Sequence, residues 1–269
     1  MRRFSPEYLE DTRRGMWEDR SALESLRLPD RDRILDVGAG SGALTRVLRE
    51  ESDAMVVSLD ADIGLLTRIE GGYTVAGDAL TLPFPAGTFD LVVCQALLIN
   101  LPDPQGAIEQ FRRVSSDLVA AIEPDNRAVE IDSTVPAESR LSDRARTYYM
   151  RGLDTDVGLG PDVGGRFRDA GLERVSVQRY DHERAVSPPY AESALESAKR
   201  KVTASRLQEQ RPTLLQGGLS EAEFESLVDD WQAMGRAIVT QIGDETYRRR
   251  AVVPFYVTVG RVPQEEPST

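Results

Sequence analysis

The chain has 269 residues, a formal net charge of −12 at pH 7, one cysteine (Cys94) and one histidine (His182). Its length allows one α/β domain with an elaboration, or two small domains. A single cysteine excludes an intrachain disulfide and a cysteine-rich metal site, and the acidic surface disfavours nucleic acid as a partner. The sequence contains no apolar run long enough to span a membrane, so we expect a soluble cytoplasmic protein. With one cysteine and one histidine, we expect no metal site.

The first predicted element is a helix near the N-terminus. Ser5 is a suitable N-cap, and Pro6 occupies the first helical position. Tyr8, Thr12 and Met16 then recur at the i, i+4 spacing that places side chains on one helix face. This pattern predicts a helix that either packs on the rest of the protein or closes a site.

A glycine-rich loop follows the first predicted strand. Residues 33–48 read RILDVGAGSGALTRVL, in which an apolar run and Asp36 precede three glycines and a helical pattern. Gly38, Gly40 and Gly42 permit the positive φ and the close ligand approach that such a turn needs. The helix after them offers unpaired backbone N–H groups. The pattern predicts a nucleotide-type cofactor site, and it also satisfies the loose dinucleotide pattern G-x-G-x-x-G/A.

Three further predicted strands carry motifs in a defined order. The second strand, residues 56–60, ends in Asp60, a carboxylate placed to accept hydrogen bonds from ribose hydroxyls. The third strand, residues 73–76, is followed by Asp78, and the segment LPFPAGTFD leads into a fourth strand at residues 91–94. This series resembles the motifs of class I S-adenosylmethionine-dependent methyltransferases, particularly the small-molecule group that includes the ubiquinone/menaquinone-type enzymes. A nicotinamide enzyme is disfavoured because the LPFPAGTFD segment has no role there.

The resemblance is close over residues 34–119, and it implies a Rossmann-like class I methyltransferase fold with S-adenosyl-L-methionine as the cofactor. It implies that Asp36 and the glycines meet the methionine side of the cofactor and that Asp60 binds the ribose diol. Gln95, after the fourth strand, is implied at the point where the methionine moiety and the acceptor meet. The implied cofactor-binding residues are Asp36, Gly38, Ala39, Gly40, Gly42, Asp60, Ala61, Ile63, Asp78, Ala79, Gln95, Tyr8 and Arg13.

The resemblance also suggests roles for the remaining members of that set. Ile63 is implied as an adenine-packing contact, with plain core packing as the alternative. Asp78 and Ala79 are implied at the adenine edge. In similar enzymes an N-terminal helix forms part of a lid, so Tyr8 and Arg13 are candidates for closing the site or gripping the cofactor carboxylate. A helix packed on the sheet with its charged face in water is the alternative.

No catalytic residue is identified from the sequence. Relatives often carry histidine where Ile99 and Asn100 stand, and His182 falls in a predicted strand segment, where a structural role is favoured. Glu123 follows the predicted fifth strand at residues 117–122 and is a candidate for lining the acceptor pocket or for acting as a base. A strand-terminating turn is its alternative. Methyl transfer to an O, N or C atom can be driven mainly by proximity and orientation.

The C-terminal half contains a long insertion between two further predicted strands. Helices are predicted over residues 137–150 and 161–170, and strands over residues 173–180 and 251–260. Roughly seventy residues separate these two strands, too many for a structureless loop. Within the insertion, Ser220-Glu221-Ala222-Glu223 has the form of a capping box and precedes a helical apolar pattern. A weaker helix is predicted over residues 189–207. The pattern therefore predicts a helical cap, and caps in this fold usually supply acceptor-binding surface. The alternative for Phe224 and Trp231 is that they only bury the cap against the domain.

The predicted fold is a seven-stranded, mostly parallel sheet with an antiparallel last strand, an N-terminal helix and a helical cap between strands 6 and 7. The predicted domains are an N-terminal helical lid (1–30), the cofactor-binding domain (31–182 and 251–262), the cap (183–250) and a disordered tail (263–269). The predicted partner is a small-molecule methyl acceptor, and the oligomeric state stays open, with a homodimer as one option. The alternatives are a methyltransferase acting on RNA or protein, for which Arg248-Arg249-Arg250 is the candidate patch, and a non-catalytic cofactor-binding protein.

Overall fold

The computed structural model of the chain describes Thr12, Arg13 and residues 15–264. The start of the predicted N-terminal helix, including Tyr8, lies outside the described residues, as do residues 265–269 of the predicted tail. Within the described part, no helix combines the length and the apolar character needed to cross a membrane.

The chain forms two compact units. The described residues of the first unit belong to Met1–Asp125, Val157–Tyr180 and Pro254–Thr269, and the second unit comprises Asn126–Asp156 and Asp181–Val253. The predicted cofactor-binding motifs all fall in the first unit. Most of the long insertion falls in the second.

Strands of the described chain carry the labels β1 to β8. They are β1 (Arg33–Val37), β2 (Met55–Asp60), β3 (Tyr73–Ala76), β4 (Phe89–Gln95), β5 (Ser115–Pro124), β6 (Glu130–Ser133), β7 (Glu173–Val186) and β8 (Arg249–Arg261). β7 and β8 each contribute residues to both units.

The sheet of the first unit is parallel in the order β3, β2, β1, β4, β5. β8 runs antiparallel to β5, with Leu118 opposite Arg261 and Pro124 opposite Phe255, and β7 also pairs with β8. β1, β4 and β5 are nearly continuous apolar runs because both faces of a parallel sheet are covered. The predicted mostly parallel sheet with an antiparallel last strand is confirmed.

Helices cover the sheet of the first unit and build most of the second unit. In the first unit they are α1 (Ala43–Glu50), α2 (Ile63–Leu66), α3 (Pro104–Val114) and α5 (Val163–Asp169). In the second unit they are α4 (Ala137–Arg151), α6 (Glu192–Thr203), α7 (Ser205–Glu209), α8 (Arg211–Gln216) and α9 (Glu221–Gly243).

The core of the first unit lies between its sheet and the packed helices. Phe111 on α3 and Phe167 on α5 are completely buried in it. α3 begins at Pro104, because the Asp103 side chain accepts the Gly106 N–H and Pro104 is suited to the first helical position. Because β1 to β5 are parallel, their carboxyl ends lie at one edge of the sheet.

The second unit has its own apolar core, in which Phe224, Leu227 and Ile238 of α9 are completely buried. The capping box at Ser220 is confirmed, because its hydroxyl accepts the Glu223 N–H and the Glu223 carboxylate accepts the Ser220 N–H. The single helix predicted over 189–207 is instead divided into α6 and α7, because Ala204 adopts φ +51°.

Two strand predictions differ from the structure. β7 continues beyond its predicted end to Val186, although nearly all of its side chains are exposed or half-buried and form no apolar run. β6 was not predicted, since its four residues are exposed or half-buried and include two carboxylates. Both strands are instead held by pairing with β8, a partner distant in sequence.

Candidate functional site

The candidate site lies at the carboxyl ends of β1, β2 and β4 in the first unit. These three strands are adjacent and parallel, with β1 in the centre. Their last residues, Val37, Asp60 and Gln95, therefore reach the same edge of the sheet, where doubly wound folds bind their ligands.

The glycine-rich loop after β1 adopts the backbone conformation that the sequence predicted. Gly38, Gly40 and Gly42 have φ values of +71°, +57° and +84°, a region that other residues rarely adopt. The N–H groups of Gly38 and Ala39 both donate to the Leu59 carbonyl, at 2.7 and 3.0 Å. The loop is thus folded back onto β2 and presents backbone without side chains, which fits a cofactor that must approach closely.

We expect Gly38→Ala to weaken cofactor binding and to lower the free energy of unfolding by more than backbone strain alone, about 1–2 kcal/mol. A Cβ at this position would lie 2.8 Å from Leu97 Cδ1, so Leu97 would have to shift. Gly71→Ala is the matched control, because Gly71 has a similar φ of +67° but no atom within 4 Å of an added Cβ. Equal denaturation midpoints for the two variants would contradict this prediction.

Asp60 connects the end of β2 to the glycine-rich loop. Its Oδ2 accepts the Gly40 N–H at 2.8 Å, and its Oδ1 accepts the Asp62 N–H at 2.8 Å. The side chain is half-buried, and a carboxylate has further lone pairs that can accept ligand hydroxyls. Ala61 is exposed, and Ile63 is 64% exposed, an unusual position for a large apolar side chain.

Asp36 is a buried carboxylate directly below the loop. It is 1% exposed, and its Oδ2 accepts the Thr45 hydroxyl at 2.6 Å, while Thr45 also contacts the Ser58 hydroxyl at 3.0 Å. Burial raises the pKa of Asp36 to about 6, although the Thr45 hydrogen bond and the positive charge of Arg13 oppose this rise. The carboxylate therefore lies in a dry environment near two cations, Arg13 and Arg49, both of which lower its pKa.

Gln95, at the end of β4, is surrounded by the segment that precedes the first strand. Its Nε2 donates to Met16 Sδ at 2.9 Å, and the Arg13 guanidinium donates to the Gln95 backbone carbonyl at 3.5 Å. Met16 is completely buried, and its carbonyl accepts the Tyr180 hydroxyl at 2.9 Å. Within the described residues, the buried Gln95 Oε1 has no hydrogen-bond partner. An unsatisfied acceptor of this kind is costly and fits a ligand that donates a hydrogen bond.

Sequence reasoning missed the contacts of Met16, Tyr180 and Thr45 at this site. Only the helical spacing of Met16 offered a signal, because it marks the residue as facing the protein without naming its partner. Asp78 and Ala79 lie after β3, where Ala76 pairs with Asp60 of β2. Asp78 is exposed and accepts the Leu80 N–H at 2.9 Å, while Ala79 is buried.

Glu123 occupies a different environment from the one the sequence suggested. Its side chain is completely buried, and its carboxylate accepts the N–H groups of Leu97 and Leu98 at 2.9 Å. It is thus an internal anchor for the loop after β4 and not a carboxylate that lines an open acceptor pocket. His182, in the second unit, is buried at 2% exposure.

The basic segment 248–250 of the second unit is largely neutralised by its surroundings. Arg249 pairs with the buried Glu138 at 3.0 Å, and Arg250 pairs with Glu183 at 2.6 Å. Arg248 donates to two backbone carbonyls. These contacts favour the structural interpretation of the segment over the nucleic-acid patch.

Comparisons with known proteins agree with the motif series. Residues 35–117 match a family model described as a methyltransferase domain. The demethylmenaquinone methyltransferase of Mycolicibacterium gilvum is 31% identical over 149 residues, covering 54% of this chain and 62% of that protein. The enzyme of the same name from Mycobacterium marinum is 30% identical over 139 residues, covering 50% and 55%. The chain thus spans less than two thirds of the length of these curated relatives.

Solved structures share the fold at low sequence identity. A protein of Bacillus halodurans assigned as a methyltransferase has a TM-score of 0.50 and 13% identity, covering 91% of this chain and 99% of that one. A protein of Anabaena variabilis, assigned as a methyltransferase of an antibiotic biosynthesis pathway, has a TM-score of 0.51 and 15% identity, covering 86% and 96%. At these identities the similarity shows the fold alone. Together with the family match, it identifies residues 35–117 as a methyltransferase domain of the class I fold.

Proposed function

We propose that this protein is an S-adenosylmethionine-dependent methyltransferase that acts on a small-molecule acceptor. The observation that supports this proposal most directly is the hydrogen bond from the Gly40 N–H to Asp60. It places a carboxylate suited to ribose hydroxyls against a glycine-rich loop whose glycines have positive φ. The curated relatives named demethylmenaquinone methyltransferases support an aromatic or isoprenoid acceptor. No observation favours RNA or protein as the acceptor.

The residues at the three strand ends fit the chemical parts of this cofactor. Asp60 would hold the ribose hydroxyls, and Arg13 and Asp36 carry the charges that suit a carboxylate and an ammonium group. The exposed Ile63 offers an apolar contact for adenine, and Asp78 lies on the neighbouring strand end. These assignments follow the resemblance residue by residue and agree with the donor and acceptor groups present.

When bound, S-adenosylmethionine would supply the methyl group of its sulfonium. The acceptor atom bonds to the methyl carbon and releases a proton, and the electrons of the broken carbon–sulfur bond stay on sulfur. The chain's own contribution is then orientation and exclusion of water. Met16 and Gln95 are both almost completely buried, so the end of β4 is a dry environment with one free amide oxygen. That oxygen can orient an acceptor hydroxyl or amine.

We expect Asp60→Ala to weaken binding of S-adenosylhomocysteine about 100-fold or more in titration calorimetry, because charge-assisted hydrogen bonds contribute about 1.5–3 kcal/mol each. Asp53→Ala is the control, since Asp53 is an exposed carboxylate just before the same strand. Unchanged affinity of the Asp60→Ala variant would show that Asp60 does not bind the cofactor. A wild-type protein without measurable affinity would disprove the proposed function.

The acceptor class is tested by incubating the protein with methyl-labelled cofactor and cell extract, followed by separation of lipid, small-molecule, RNA and protein fractions. We expect the label in the lipid or small-molecule fraction, and much less of it there with the Asp60→Ala variant at the same cofactor concentration. Label in RNA or protein would replace the proposed acceptor class. Binding without any transfer would favour the non-catalytic alternative.

A further inference from the structure

Glu123 is a completely buried carboxylate at the end of β5, beside the end of β4. Its Oε1 accepts the N–H groups of Leu97 and Leu98, both at 2.9 Å, and its Oε2 accepts the Ile99 N–H at 3.4 Å. The Cys94 thiol also donates to Oε1, at 3.6 Å. One side chain therefore satisfies three successive backbone donors of the loop that follows β4.

These three donors would otherwise be costly to bury. They precede and begin the short 3-10 turn Leu98–Asn100, whose first N–H groups have no partners within the turn. The same loop contains Ala96 at φ +49°, a left-handed conformation that is unfavourable for a residue other than glycine. Contacts with distant parts of the chain must therefore hold this loop in its conformation, and the Glu123 carboxylate provides three of them.

The loop that Glu123 holds is part of the candidate cofactor site. It begins directly after Gln95, and its Leu97 side chain packs on the glycine-rich loop, with Cδ1 2.8 Å from the place of a Cβ on Gly38. A displacement of Leu97 would therefore release the glycine-rich loop. Gln95 immediately precedes the same loop, at the end of β4.

We propose that Glu123 is a positioning residue of the methyltransferase site. Its carboxylate holds residues 96–99 against the glycine-rich loop, and so keeps Gly38 and Gln95 in the arrangement that receives the methionine side of the cofactor. The effect on cofactor binding rests on the proposed function. The anchoring of the loop does not, and it can be measured in the cofactor-free protein.

The ionisation of Glu123 allows this positioning role to be distinguished from a general contribution to folding stability, because the two depend on pH differently. Burial raises its pKa to about 7, although the three N–H groups oppose the rise. Ionisable groups on the neighbouring strands of the described chain include the thiol of Cys94 and the phenol of Tyr256, its cross-strand partner. The pKa of Cys94 is raised further by burial, so the thiol stays neutral.

Raising the pH therefore has two opposite effects at Glu123. Because its folded-state pKa lies above the ordinary 4.5, its contribution to folding stability is present below about pH 4.5 and is lost as the pH rises through about 7. The anion, however, is the stronger acceptor for the three N–H groups. For openings in which the loop detaches while Glu123 stays buried, we therefore expect better protection over the same pH range in which the contribution to global stability falls.

Hydrogen exchange in the cofactor-free protein tests the anchor. In Glu123→Gln, the amides of Leu97, Leu98 and Ile99 should exchange about tenfold faster at pH 8 after correction for intrinsic rates, with a smaller effect at pH 5.5. Ser115→Ala is the matched control, because it removes a buried hydrogen bond at the other end of β5. It should leave these amides unchanged.

Calorimetry with S-adenosylhomocysteine tests the consequence. Glu123→Gln should bind S-adenosylhomocysteine about tenfold more weakly than wild type at pH 8, and the difference in affinity should be smaller at pH 5.5. Glu123→Asp keeps the carboxylate, so its affinity should vary with pH as the wild-type affinity does. The proposal is overturned if the amides are unaffected, or if they exchange faster while affinity is unchanged. If Glu123→Gln does not fold, Glu123→Asp takes its place: the shorter side chain should speed exchange of the same three amides, and unchanged exchange would overturn the proposal. A wild type that binds no cofactor overturns the proposed function and leaves the exchange result standing.

Discussion

Replacing Glu138 with alanine is expected to lower the free energy of unfolding of the second unit by about 3–5 kcal/mol, the usual cost of breaking a buried ion pair from one side. Glu138 is completely buried. Its Oε1 accepts Lys201 Nζ at 2.6 Å and Arg249 Nε at 3.0 Å, and its Oε2 accepts the hydroxyls of Ser133 at 2.7 Å and Tyr247 at 2.8 Å. Its removal leaves two largely buried cations without their counter-charge.

The pH dependence of this effect has a defined sign. Burial pushes the pKa of Glu138 upwards, but Lys201, Ser133 and Arg249 outweigh it and hold the pKa below the ordinary 4.5. The stabilisation is therefore present above about pH 4.5 and is lost as the pH falls through the lowered folded-state pKa. The difference between wild type and Glu138→Ala should shrink in acid.

Urea denaturation at pH 7 and pH 4 measures both parts of this prediction. Glu225→Ala is the control, because Glu225 is exposed on α9 and should change stability by less than about 0.5 kcal/mol. A Glu138→Ala variant as stable as that control would show that the four donors find other partners. In that case the cluster would not hold the unit together.

Replacing Gly152 with alanine is expected to destabilise the second unit by about 3 kcal/mol, the upper part of the range for overpacking. Gly152 follows α4, and a Cβ there would lie 1.9 Å from the Thr213 carbonyl oxygen of α8. Gly217 faces it with the same constraint, since its Cβ would lie 1.8 Å from the Tyr148 carbonyl oxygen. The obstructing atoms are backbone and cannot rotate away, so the ends of α4 and α8 would have to separate.

Gly243→Ala provides the control for this second substitution. Gly243 is the last residue of α9 and has no atom within 4 Å of an added Cβ. Alanine there should stabilise the protein slightly, by up to about 1 kcal/mol, because it restricts the unfolded chain. If thermal denaturation gave both variants the same midpoint, the close approach of the two helix ends would not be a feature of the folded protein in solution.

Local sequence signals predicted the elements that depend on neighbouring residues. β3 has the predicted bounds, and β2 begins one residue before its predicted start, because short apolar runs next to glycine or aspartate show where a strand ends. The capping box at Ser220 was predictable for the same reason, since both of its partners lie within four residues. The positive φ values of the glycine-rich loop follow from residue type.

The charged and polar partners could not be predicted in this way. Glu138 bonds with Lys201, 63 positions away, and Gln95 contacts Met16, 79 positions away. Periodicity indicates that a side chain faces the interior, but it does not say which distant element packs there. For the same reason the acceptor-binding role of the insertion stays a prediction, and so do the roles of Ile63 and Asp78.

The sequence by itself determined the cofactor motif, because glycines, a following helix and carboxylates at strand ends are local features that depend on residue type and on neighbouring residues. Only the tertiary structure decided what Glu123 does. A carboxylate after a buried strand suggests a ligand, yet the antiparallel β8 on one side and the loop after β4 on the other exclude water from it. Once buried, it must bond with the backbone N–H groups within reach, and those belong to the loop that holds Gly38 and Gln95.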